Sequence, residues 1–505
     1  MDDIGGRVEE ILEVDADDYD ARVREDAEFV KHELSRGTFN NPQAIIGLEH
    51  EFYAVDETAE SPYLARVPRP LLSYIGFEKE LGLHNAEMVT SPQPLNGYGI
   101  RAQENEVKSK LKIALETLKT DRLRLVSSGI WTIPPQGETA REYLLAGAED
   151  DGVHIASNMS PSVRYQAMSN QMLRMEGDIE LEAPHVSLGS KTVMPESLIT
   201  SIQPHYQVPQ ASELPTYFSY ALRIAPAILS LGVNSPFFPP DLYDDVPANL
   251  IIEDAWDESR INVFESVLNF RDKTEKVSFP RDIETVEEAV DAIADDEVYV
   301  PMPIDGGSRF DDEFGHLKMK RGTYWRWIRP VFEGSTRSDA HVRVEFRPLA
   351  GQPTIRDTIG FQALYAGLLT ALTRLDHPLI DLAWEKARDS FYDAAENGLD
   401  AEIDWIGSDG SELNGDEIYD EMIELASRGL QSYGIDGDEA YRYLWPLKKR
   451  YEEGITPADW KKKEVKRRLS EGEEFETALR ETERKYIELQ KETLFEGSFA
   501  DWLEK

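Results

Sequence analysis

The most informative segment of the chain is residues 46–53, which read Ile-Gly-Leu-Glu-His-Glu-Phe-Tyr. The segment predicts a β-strand, because a strand turns successive side chains to opposite faces and polar and apolar residues alternate here. Glu49 and Glu51 then lie side by side on one face, opposite Leu48 and Phe52. Neighbouring carboxylates repel each other, and a bound dication relieves that repulsion. In an acidic chain such a strand is also commonly solvent-facing, so this segment alone leaves both interpretations open.

Two later segments show the same alternation. Residues 201–208 and 341–347 each place apolar side chains on one face and hydrogen-bonding or charged side chains on the other. Solvent-facing strands favour Lys, Thr and Ser, whereas Glu, His, Gln and Arg are typical ligands of metal ions and phosphate. The pattern therefore favours a shared polar site as strongly as it favours three surface strands. The residues on the polar faces are Ser201, Gln203, His205, Gln207, His341, Arg343, Glu345 and Arg347.

The composition is strongly acidic. The 505 residues include 96 Asp and Glu against 54 Lys and Arg, which gives a formal net charge of −42. A charge of this sign opposes binding to nucleic acid and to anionic membranes. The acidic residues are spread along the chain, and the 19 Phe, 21 Tyr and 9 Trp argue against a disordered acidic chain. Dispersed acidity with ordinary hydrophobicity is typical of a cytosolic protein from a salt-loving microbe.

The absence of cysteine limits the chemistry. Since the sequence contains no Cys, disulfides, thiolate catalysis, iron–sulfur clusters and cysteine-ligated zinc sites are excluded. The first residues have neither a basic start nor an apolar run, so we expect no secretory signal. The most apolar segments, 217–238 and 359–375, are interrupted by Arg and Pro or are too short to cross a bilayer. We expect a soluble, cytoplasmic protein with no membrane or nucleic-acid partner.

Hydrophobic periodicity divides the chain into three regions. Residues 1–39 are predicted to be an acidic helical segment, residues 40–375 the main α+β domain with an acidic insertion at 239–320, and residues 376–505 a helical region. Thr354 is predicted to be the N-cap of a helix. Helices are predicted at 7–36, 99–121, 214–231, 284–294, 355–375 and 472–494, and a further strand at 123–133.

Three features are interpreted as structural rather than functional. Residues 189–192 imitate the end of a phosphate-binding loop but lack its earlier glycine. The methionines between residues 168 and 175 have the spacing of a helix that packs into a core. His50 lies on the apolar face of its strand, where a buried histidine with a hydrogen-bond partner is commoner than a ligand.

Taken in order, these segments resemble motifs of the carboxylate–amine ligases related to glutamate–cysteine ligase, in the glutamine synthetase superfamily. They cover residues 40–240 and 321–375 in the family's order, which is more specific than any single motif. With its acidic composition, the chain resembles a haloarchaeal member. The resembling segments are Gly47–Phe52, Ala86–Thr90, Ser201–Val208, Leu229–Phe238, Trp325–Pro330, Val344–Arg347 and Gln352–Thr354.

The resemblance implies a fold and a reaction. The fold would be a curved antiparallel sheet whose concave face forms an active-site funnel, with helices packed behind it and a helical C-terminal extension. ATP would activate a carboxylate, with the γ-carboxylate of glutamate as the first expectation, as an acyl phosphate. An amine, with cysteine as the first guess, would then displace phosphate. The implied cofactors are ATP and Mg²⁺ or Mn²⁺, the partners are small-molecule substrates, and homo-oligomerisation is left open.

The resemblance also implies roles for individual residues. Where many members have two histidines, this chain has Gln203 and His205, so which of the two contacts metal or nucleotide is left open. The implied metal ligands are Glu49, Glu51, Glu87, Glu345 and His205. The implied phosphoryl-binding residues are Arg329 and Arg347. The implied contacts to substrate, nucleotide or the pocket rim are Arg164, Gln203, Gln207, Asn234 and Ser235.

Two alternatives to an enzyme stay open. The chain could be a non-catalytic descendant that binds an amino acid or nucleotide as a sensor or scaffold, or an unrelated acidic interaction protein whose strands merely alternate. The presence of all four glutamates and both arginines favours the enzyme.

The net charge of −42 predicts that salt stabilises the protein. Like charges spread over one chain repel each other, and at molar ionic strength the Debye length falls to about 3 Å, which screens the repulsion. We expect the melting temperature to rise from low to molar KCl in thermal scans followed by circular dichroism. A melting temperature that stays flat or falls over that range would contradict the salt-loving interpretation.

Overall fold

The structure is a computed structural model that describes residues 4–57, 62–150, 152–269, 275–304 and 306–503. Small parts of all three predicted regions lie outside the described residues. These are residues 1–3 of the N-terminal segment, residues 58–61 and 151 of the main domain with 270–274 and 305 of its insertion, and residues 504–505 of the C-terminal region.

Strands and helices are numbered in chain order within the described residues. The strands are β1 (Ile45–Asp56), β2 (Tyr63–Leu64), β3 (Glu78–Lys79), β4 (Asn85–Val89), β5 (Gln93–Pro94), β6 (Leu123–Val126), β7 (Gly147–Asp150), β8 (Val153–Ala156), β9 (Ile179–Ala183), β10 (Val186–Ser190), β11 (Ile202–Val208), β12 (Ile328–Glu333), β13 (His341–Phe346), β14 (Trp405–Ile406) and β15 (Glu412–Leu413). The helices are α1 (Ile4–Leu12), α2 (Ala16–Ser35), α3 (Arg69–Ile75), α4 (Gly97–Leu118), α5 (Ala140–Leu145), α6 (Val163–Glu176), α7 (Leu214–Gly232), α8 (Ala248–Asp254), α9 (Arg260–Leu268), α10 (Val286–Ala294), α11 (Gly315–Arg321), α12 (Ile355–Leu375), α13 (Trp384–Asn397), α14 (Asp416–Ser432), α15 (Gly437–Glu452), α16 (Pro457–Ser470) and α17 (Phe475–Thr493).

One antiparallel sheet organises the molecule. Its strands follow the order β12-β13-β11-β1-β4-β3, while β2, β5 and β6 also pair with β1. The sheet curls into a half-barrel, so the predicted α+β fold with a curved antiparallel sheet is confirmed. Its register places Glu49 opposite Gln203, and Glu51 opposite Glu87. A slip of one residue would turn every side chain of β1 to the other face, so the buried apolar face fixes where the carboxylates point.

Helices α7 and α12 pack behind the sheet. Burial alternates along β1, with the side chains of Leu48 and Phe52 almost fully buried. Phe346 on β13 meets Tyr365 on α12 with ring centroids 4.9 Å apart. Thr354 caps α12 by accepting a hydrogen bond from the Asp357 amide, as predicted. The apolar faces of the strands and the helices behind them therefore form a shared core.

Two predicted elements differ from the structure. The helix expected over 7–36 is two helices, because the Asp15 carboxylate accepts hydrogen bonds from the Asp17 and Asp18 amides and starts α2 anew. The strand expected over 123–133 ends at Val126. Beyond it, the carbonyl of Ser127 accepts hydrogen bonds from side chains of α17 instead of from a neighbouring strand.

The other predicted elements match within a few residues at their ends. The helices predicted at 99–121, 214–231, 284–294, 355–375 and 472–494 are α4, α7, α10, α12 and α17. Gly189 and Ser190 belong to strand β10, so they do not form a phosphate-binding loop. Among the described helices, none combines the length and apolar composition that a bilayer crossing needs.

A buried ion pair joins the C-terminal helices to the main core. Arg450 on α15 is 1% exposed, and its guanidinium lies 3.0 Å from the Asp357 carboxylate at the start of α12. The guanidinium also donates to the Leu231 carbonyl at the end of α7 and to the Gln352 amide oxygen. The Asp357 carboxylate in turn accepts hydrogen bonds from the Thr354 hydroxyl and from the Phe499 backbone amide. Three helices and the last described turn thus meet at one charge pair.

We expect Arg450→Leu to lower the free energy of unfolding by about 3–5 kcal/mol, because it leaves the Asp357 carboxylate buried without its cation. Arg428→Leu is the matched control. It breaks an ion pair with Glu424 whose side chains are 60% and 62% exposed, which is worth less than about 1 kcal/mol. Urea denaturation at constant KCl measures both. If both substitutions lowered the free energy of unfolding by the same small amount, the Arg450–Asp357 pair would not stabilise the fold as we infer.

Candidate functional site

The concave face of the sheet opens into a cavity of about 240 Å³. Its walls come from β1, β4, β11, β12, the loop between β3 and β4, helices α6 and α9, and the residues that follow α11 and β13. The cavity is strongly polar and carries charges of both signs. Its charged lining residues are Glu49, Glu51, Glu80, Glu87, Glu196, Arg164, Arg329 and Arg347.

Glu49 lines the cavity and forms an acidic cluster with His205 and Glu345, which lie beside it in the sheet and are not part of the described lining. The sheet brings them together because β11 lies between β1 and β13. The His205 Nε2 atom lies 3.6 Å from a Glu49 oxygen and 3.7 Å from Glu345 Oε2. Potential ligand atoms of the three residues all lie within 4.8 Å of one another. The His205 Nε2 atom is buried without a hydrogen-bond partner among the described residues, so this cluster fits a dication.

Two arginines hold the third member of this cluster. Glu345 Oε1 accepts hydrogen bonds from Arg329 Nε at 2.9 Å and from Arg347 Nη1 at 2.7 Å. Although burial opposes ionisation, these guanidinium groups hold the pKa of Glu345 well below its usual range. Because both arginines use Oε1, Oε2 faces His205. Glu345 therefore stays ionised and still presents one oxygen to the cluster.

Glu49 has the opposite electrostatic environment. Burial and the charge of Glu345 raise the pKa of Glu49 to about 7, against the lowering effect of the nearby arginines. For His205, burial lowers the pKa to about 3 despite the attraction of Glu345, so the imidazole is neutral at pH 7. A neutral imidazole and a carboxylate whose charge lacks compensation are the forms that bind a cation.

A second acidic cluster lies on the other side of β1. Glu51 accepts hydrogen bonds from the Ser201 amide at 2.7 Å and from the Gln203 side chain at 3.0 Å. Glu87 shares a hydrogen bond with Glu80, and burial together with the charges of Glu49, Glu80 and Glu51 raises its pKa far above the usual range. Carboxylates this close either share protons or bind a cation. Glu51, Glu80 and Glu87 therefore form an acidic part of the cavity wall, although within the described residues only Glu49, His205 and Glu345 have their ligand atoms within 4.8 Å of one another.

Arg164 on α6 is a further charged residue of the cavity wall. No carboxylate is among the electrostatic neighbours of its guanidinium within the described part of the chain, and burial lowers its pKa. It lies against the backbone of Gly322, where a Cβ atom would come within 2.3 Å of the guanidinium. A side chain at position 322 would displace Arg164, so the glycine lets this cation reach the cavity. A guanidinium without an acidic partner suits the carboxylate of a ligand.

The structure brings most predicted site residues to the cavity but not all of them. Gln203 lines the cavity, and its amide bridges Glu51 and Arg347, with an Arg347 Nη1 to Oε1 distance of 3.1 Å. The side chain of Gln207 is instead bound to the carbonyls of residues 41 and 43, and it is absent from the described lining.

Asn234 and Ser235 also lie away from the cavity, contrary to the expectation that they shape its rim. Asn234 donates to the Gly351 carbonyl at 2.7 Å, and Ser235 donates to Glu258 at 2.6 Å. Both side chains are buried, so they hold loops together behind the wall. His50 is a core residue, as predicted, with its Nε2 atom 2.8 Å from Ser127 Oγ.

Sequence reasoning missed several wall residues. Glu80 and Glu196 lie in short connections without alternation, where periodicity carries no signal. Phe264 lies on α9, inside the region predicted to be an insertion, and its ring lies 5.7 Å from the Arg347 guanidinium carbon. Tyr165, next to Arg164 on α6, also lines the cavity. These residues meet the cavity only because distant segments pack around the sheet.

Comparison with solved structures identifies relatives of the fold. A glutamate–cysteine ligase from Francisella tularensis in complex with AMP matches with a TM-score of 0.51 and 13% identity, over 92% of each chain. A bifunctional glutathione synthetase from Pasteurella multocida has a TM-score of 0.46 and 10% identity, over 92% of this chain and 55% of that one. The ligase PafA in complex with the ubiquitin-like protein Pup has a TM-score of 0.38 and 12% identity, over 87% of this chain and 72% of that one.

Sequence comparison gives two results. No curated protein sequence matches the chain. The family model of glutamate-cysteine ligase family 2 (GCS2) matches residues 45–488, which include both acidic clusters and extend well into the C-terminal helices. Since that match covers most of the chain, the protein belongs to glutamate-cysteine ligase family 2.

Proposed function

We propose that the protein is an ATP-dependent carboxylate–amine ligase that joins the γ-carboxylate of glutamate to an amine, with cysteine as the first candidate. The observation that carries the proposal is the pair of acidic clusters on either side of β1, with Arg329 and Arg347 beside them. Family membership and the structural likeness to a glutamate–cysteine ligase complexed with AMP support it.

The two clusters would hold the divalent cations of the reaction. Glu49, His205 and Glu345 would bind one Mg²⁺ or Mn²⁺, and Glu51, Glu80 and Glu87 a second. When bound, these ions neutralise the phosphate oxygens of ATP and the charge that develops during transfer.

The arginines would bind the phosphoryl group as it moves from ATP to the carboxylate of glutamate. Glu345 holds the Arg329 and Arg347 guanidinium groups in place before substrate arrives, and Gln203 fixes Arg347 from its other side. Phosphoryl transfer depends mainly on positioning and on charge stabilisation. Donors that are already oriented contribute most to such stabilisation, since they need no reorganisation during the step.

Arg164 and Glu196, which also line the cavity, would bind the amino acid substrates. Arg164 would pair with a substrate carboxylate. Glu196 lines the same cavity, and burial together with the charges of Glu80 and Glu51 raises its pKa far above the usual range. A carboxyl group in that environment gains by pairing with an ammonium group, so Glu196 would face the amine of a substrate.

A second candidate function is that of a non-catalytic protein that binds an amino acid or nucleotide in the cavity on the concave face of the sheet, which we call the funnel. One observation favours it: Gln203 stands where many family members have histidine, and its amide is engaged by Glu51 and Arg347. An amide is a weaker metal ligand than imidazole. Turnover of Mg-ATP separates this candidate from the ligase.

We expect Glu49→Gln and Glu51→Gln each to reduce ATP turnover close to background, because each removes one charge that a dication would need. The melting temperature without metal should hold or rise, since each substitution relieves repulsion between buried carboxylates. Glu412→Gln in the β14–β15 hairpin is the control, because its side chain is 80% exposed. If Glu49→Gln and Glu51→Gln both kept near-normal ATP turnover, the assignment of these two residues as metal ligands would be wrong.

We expect the protein to form γ-glutamyl hydroxamate from glutamate, Mg-ATP and hydroxylamine in high salt. Hydroxylamine is small and strongly nucleophilic, so it intercepts an acyl phosphate without filling the amine pocket. Arg347→Ala should lower the rate by about 10²–10³, the usual effect of removing one electrostatic donor, while Arg428→Ala on the surface should not. A colorimetric iron(III) assay measures the product.

Aspartate should give less hydroxamate than glutamate, because its carboxylate falls one methylene short of the phosphate. Binding of Mg-ATP without hydroxamate from any amino acid would favour the non-catalytic candidate instead.

A further inference from the structure

A second cavity, of about 410 Å³, lies at the far end of β1. It is formed by the second half of α4 and the turn after it, by β6, and by the end of α17. Glu57 in its lining is six residues along the chain from Glu51 in the funnel, and six residues of a β-strand span about 20 Å. We call this second cavity the basic groove, because its lining includes five cations against two carboxylates. The cations are Lys112, Lys119, Arg122, Arg124 and Lys491.

This concentration of positive charge is unusual for the chain. Acidic residues outnumber basic ones by 96 to 54 over the whole sequence, but the ratio is reversed in the basic groove. Groups of like charge repel each other, so a fold does not collect them in a concave surface without cost. An anion that enters the groove would remove that cost.

The carboxylates of the groove compensate only part of its charge. Glu57 pairs with Arg124 at 3.0 Å and also contacts Lys491. Glu116 lies 3.9 Å from Lys119, and both side chains are largely exposed. Within the described residues, neither Lys112 nor Arg122 has a carboxylate at salt-bridge distance. At least two cations of the groove are therefore available to a ligand.

The groove also has an apolar floor. Leu115, Leu123, Leu494 and Phe495 line it between the charged side chains. The Lys112 Nζ atom lies 5.6 Å from the centroid of the Phe495 ring. A pocket that combines hydrophobic surface with a few charged groups at its edge is suited to an organic ligand rather than to an inorganic ion.

The backbone at Arg122 fixes where one of these unpaired cations lies. Its φ is +58°, in the left-handed region that glycine adopts without strain and that other residues seldom adopt. The conformation is held by two hydrogen bonds, from its amide to the Lys119 carbonyl and from the Glu57 amide to its carbonyl. Arg122 is the C-cap of the short 3-10 turn that follows α4, a position where helices commonly end in a left-handed glycine. Here the strained residue adds a guanidinium to the groove where glycine would fit better.

We propose that the basic groove binds a small organic dianion that carries an apolar or aromatic group, with the chemistry of a phosphate monoester or a dicarboxylate. Lys112, Lys119 and Arg122 bind the charged groups, and the Leu115, Leu123 and Phe495 floor binds the apolar part. The proposal concerns a site separate from the funnel and does not depend on the reaction proposed there.

The test is isothermal titration calorimetry on the full chain, in the lowest KCl concentration that maintains the native circular dichroism spectrum. The probes are phenyl phosphate and phthalate, which distinguish the two kinds of anion, with inorganic phosphate and benzyl alcohol as controls. We expect one of the ring-bearing dianions to bind about tenfold more tightly than inorganic phosphate. Benzyl alcohol should not bind, and the affinity should fall as KCl increases.

Arg122→Gly is the decisive variant, because it removes the cation and also relieves the backbone strain. We expect it to weaken binding by about fivefold or more while the melting temperature holds or rises, which separates lost binding from lost folding. Lys119→Gln should weaken binding too. Lys463→Gln, an exposed substitution on α16 outside the groove, should leave it unchanged.

Three results would overturn the proposal. The first is that neither ring-bearing dianion binds more tightly than inorganic phosphate. The second is that Arg122→Gly binds the probe as well as the unmodified protein does. The third is that Arg347→Ala abolishes binding while Arg122→Gly retains it, since the probe would then occupy the funnel.

Discussion

The repulsion between buried carboxylates is the constraint on which the site depends. Five glutamates, at positions 49, 51, 80, 87 and 196, line one cavity, and Glu345 lies next to Glu49 beside it. Burying charges of one sign so close together is costly unless cations compensate them. The protein supplies part of that compensation with Arg329 and Arg347, which hold Glu345 ionised. Glu49, Glu51, Glu87 and Glu196 have raised pKa values, most clearly Glu87 and Glu196.

A rigid support maintains this unfavourable arrangement. The strands that carry the acids are paired in one continuous antiparallel sheet, with β1 bonded to β11 on one side and β4 on the other. Behind the sheet, α7 and α12 present an almost wholly buried surface. The C-terminal helices add the Arg450–Asp357 ion pair and hydrogen bonds from Tyr486 and Gln490 to the Ser127 carbonyl. Repelling groups therefore stay close because the elements that carry them cannot move apart.

The two cavities differ in how their charges are balanced. In the funnel the excess charge is negative and buried, and two guanidinium groups already lie beside the phosphoryl position that we propose. In the basic groove the excess is positive and partly exposed, and one of its cations comes from a residue in a strained backbone conformation. Both lie along β1, which connects the polar face of the sheet to the surface beyond Asp56.

Much of the fold could be predicted from periodicity alone. Alternation in residues 46–53, 201–208 and 341–347 predicted three strands and the faces on which Glu49, Glu51 and Glu345 lie. The capping pattern at Thr354 predicted the start of α12. These signals are local, since a strand or a cap depends on the residues next to it along the chain. The helix break at Asp15 and the early end of β6 were missed, because each depends on hydrogen bonds that periodicity does not report.

The sequence by itself determined three strands with one polar face each and the family motifs on them, and the resemblance carried by those motifs implied the antiparallel sheet. Only the tertiary structure decided which polar residues meet. It brought Glu80, Glu196 and Phe264 into the cavity from segments without periodicity, and it placed Gln207, Asn234 and Ser235 away from it. It also gathered Lys112, Arg122 and Lys491 into one groove. The reason is that strand order and helix packing decide which side chains are in contact in the folded protein, and they bring together residues that are hundreds of positions apart in the sequence.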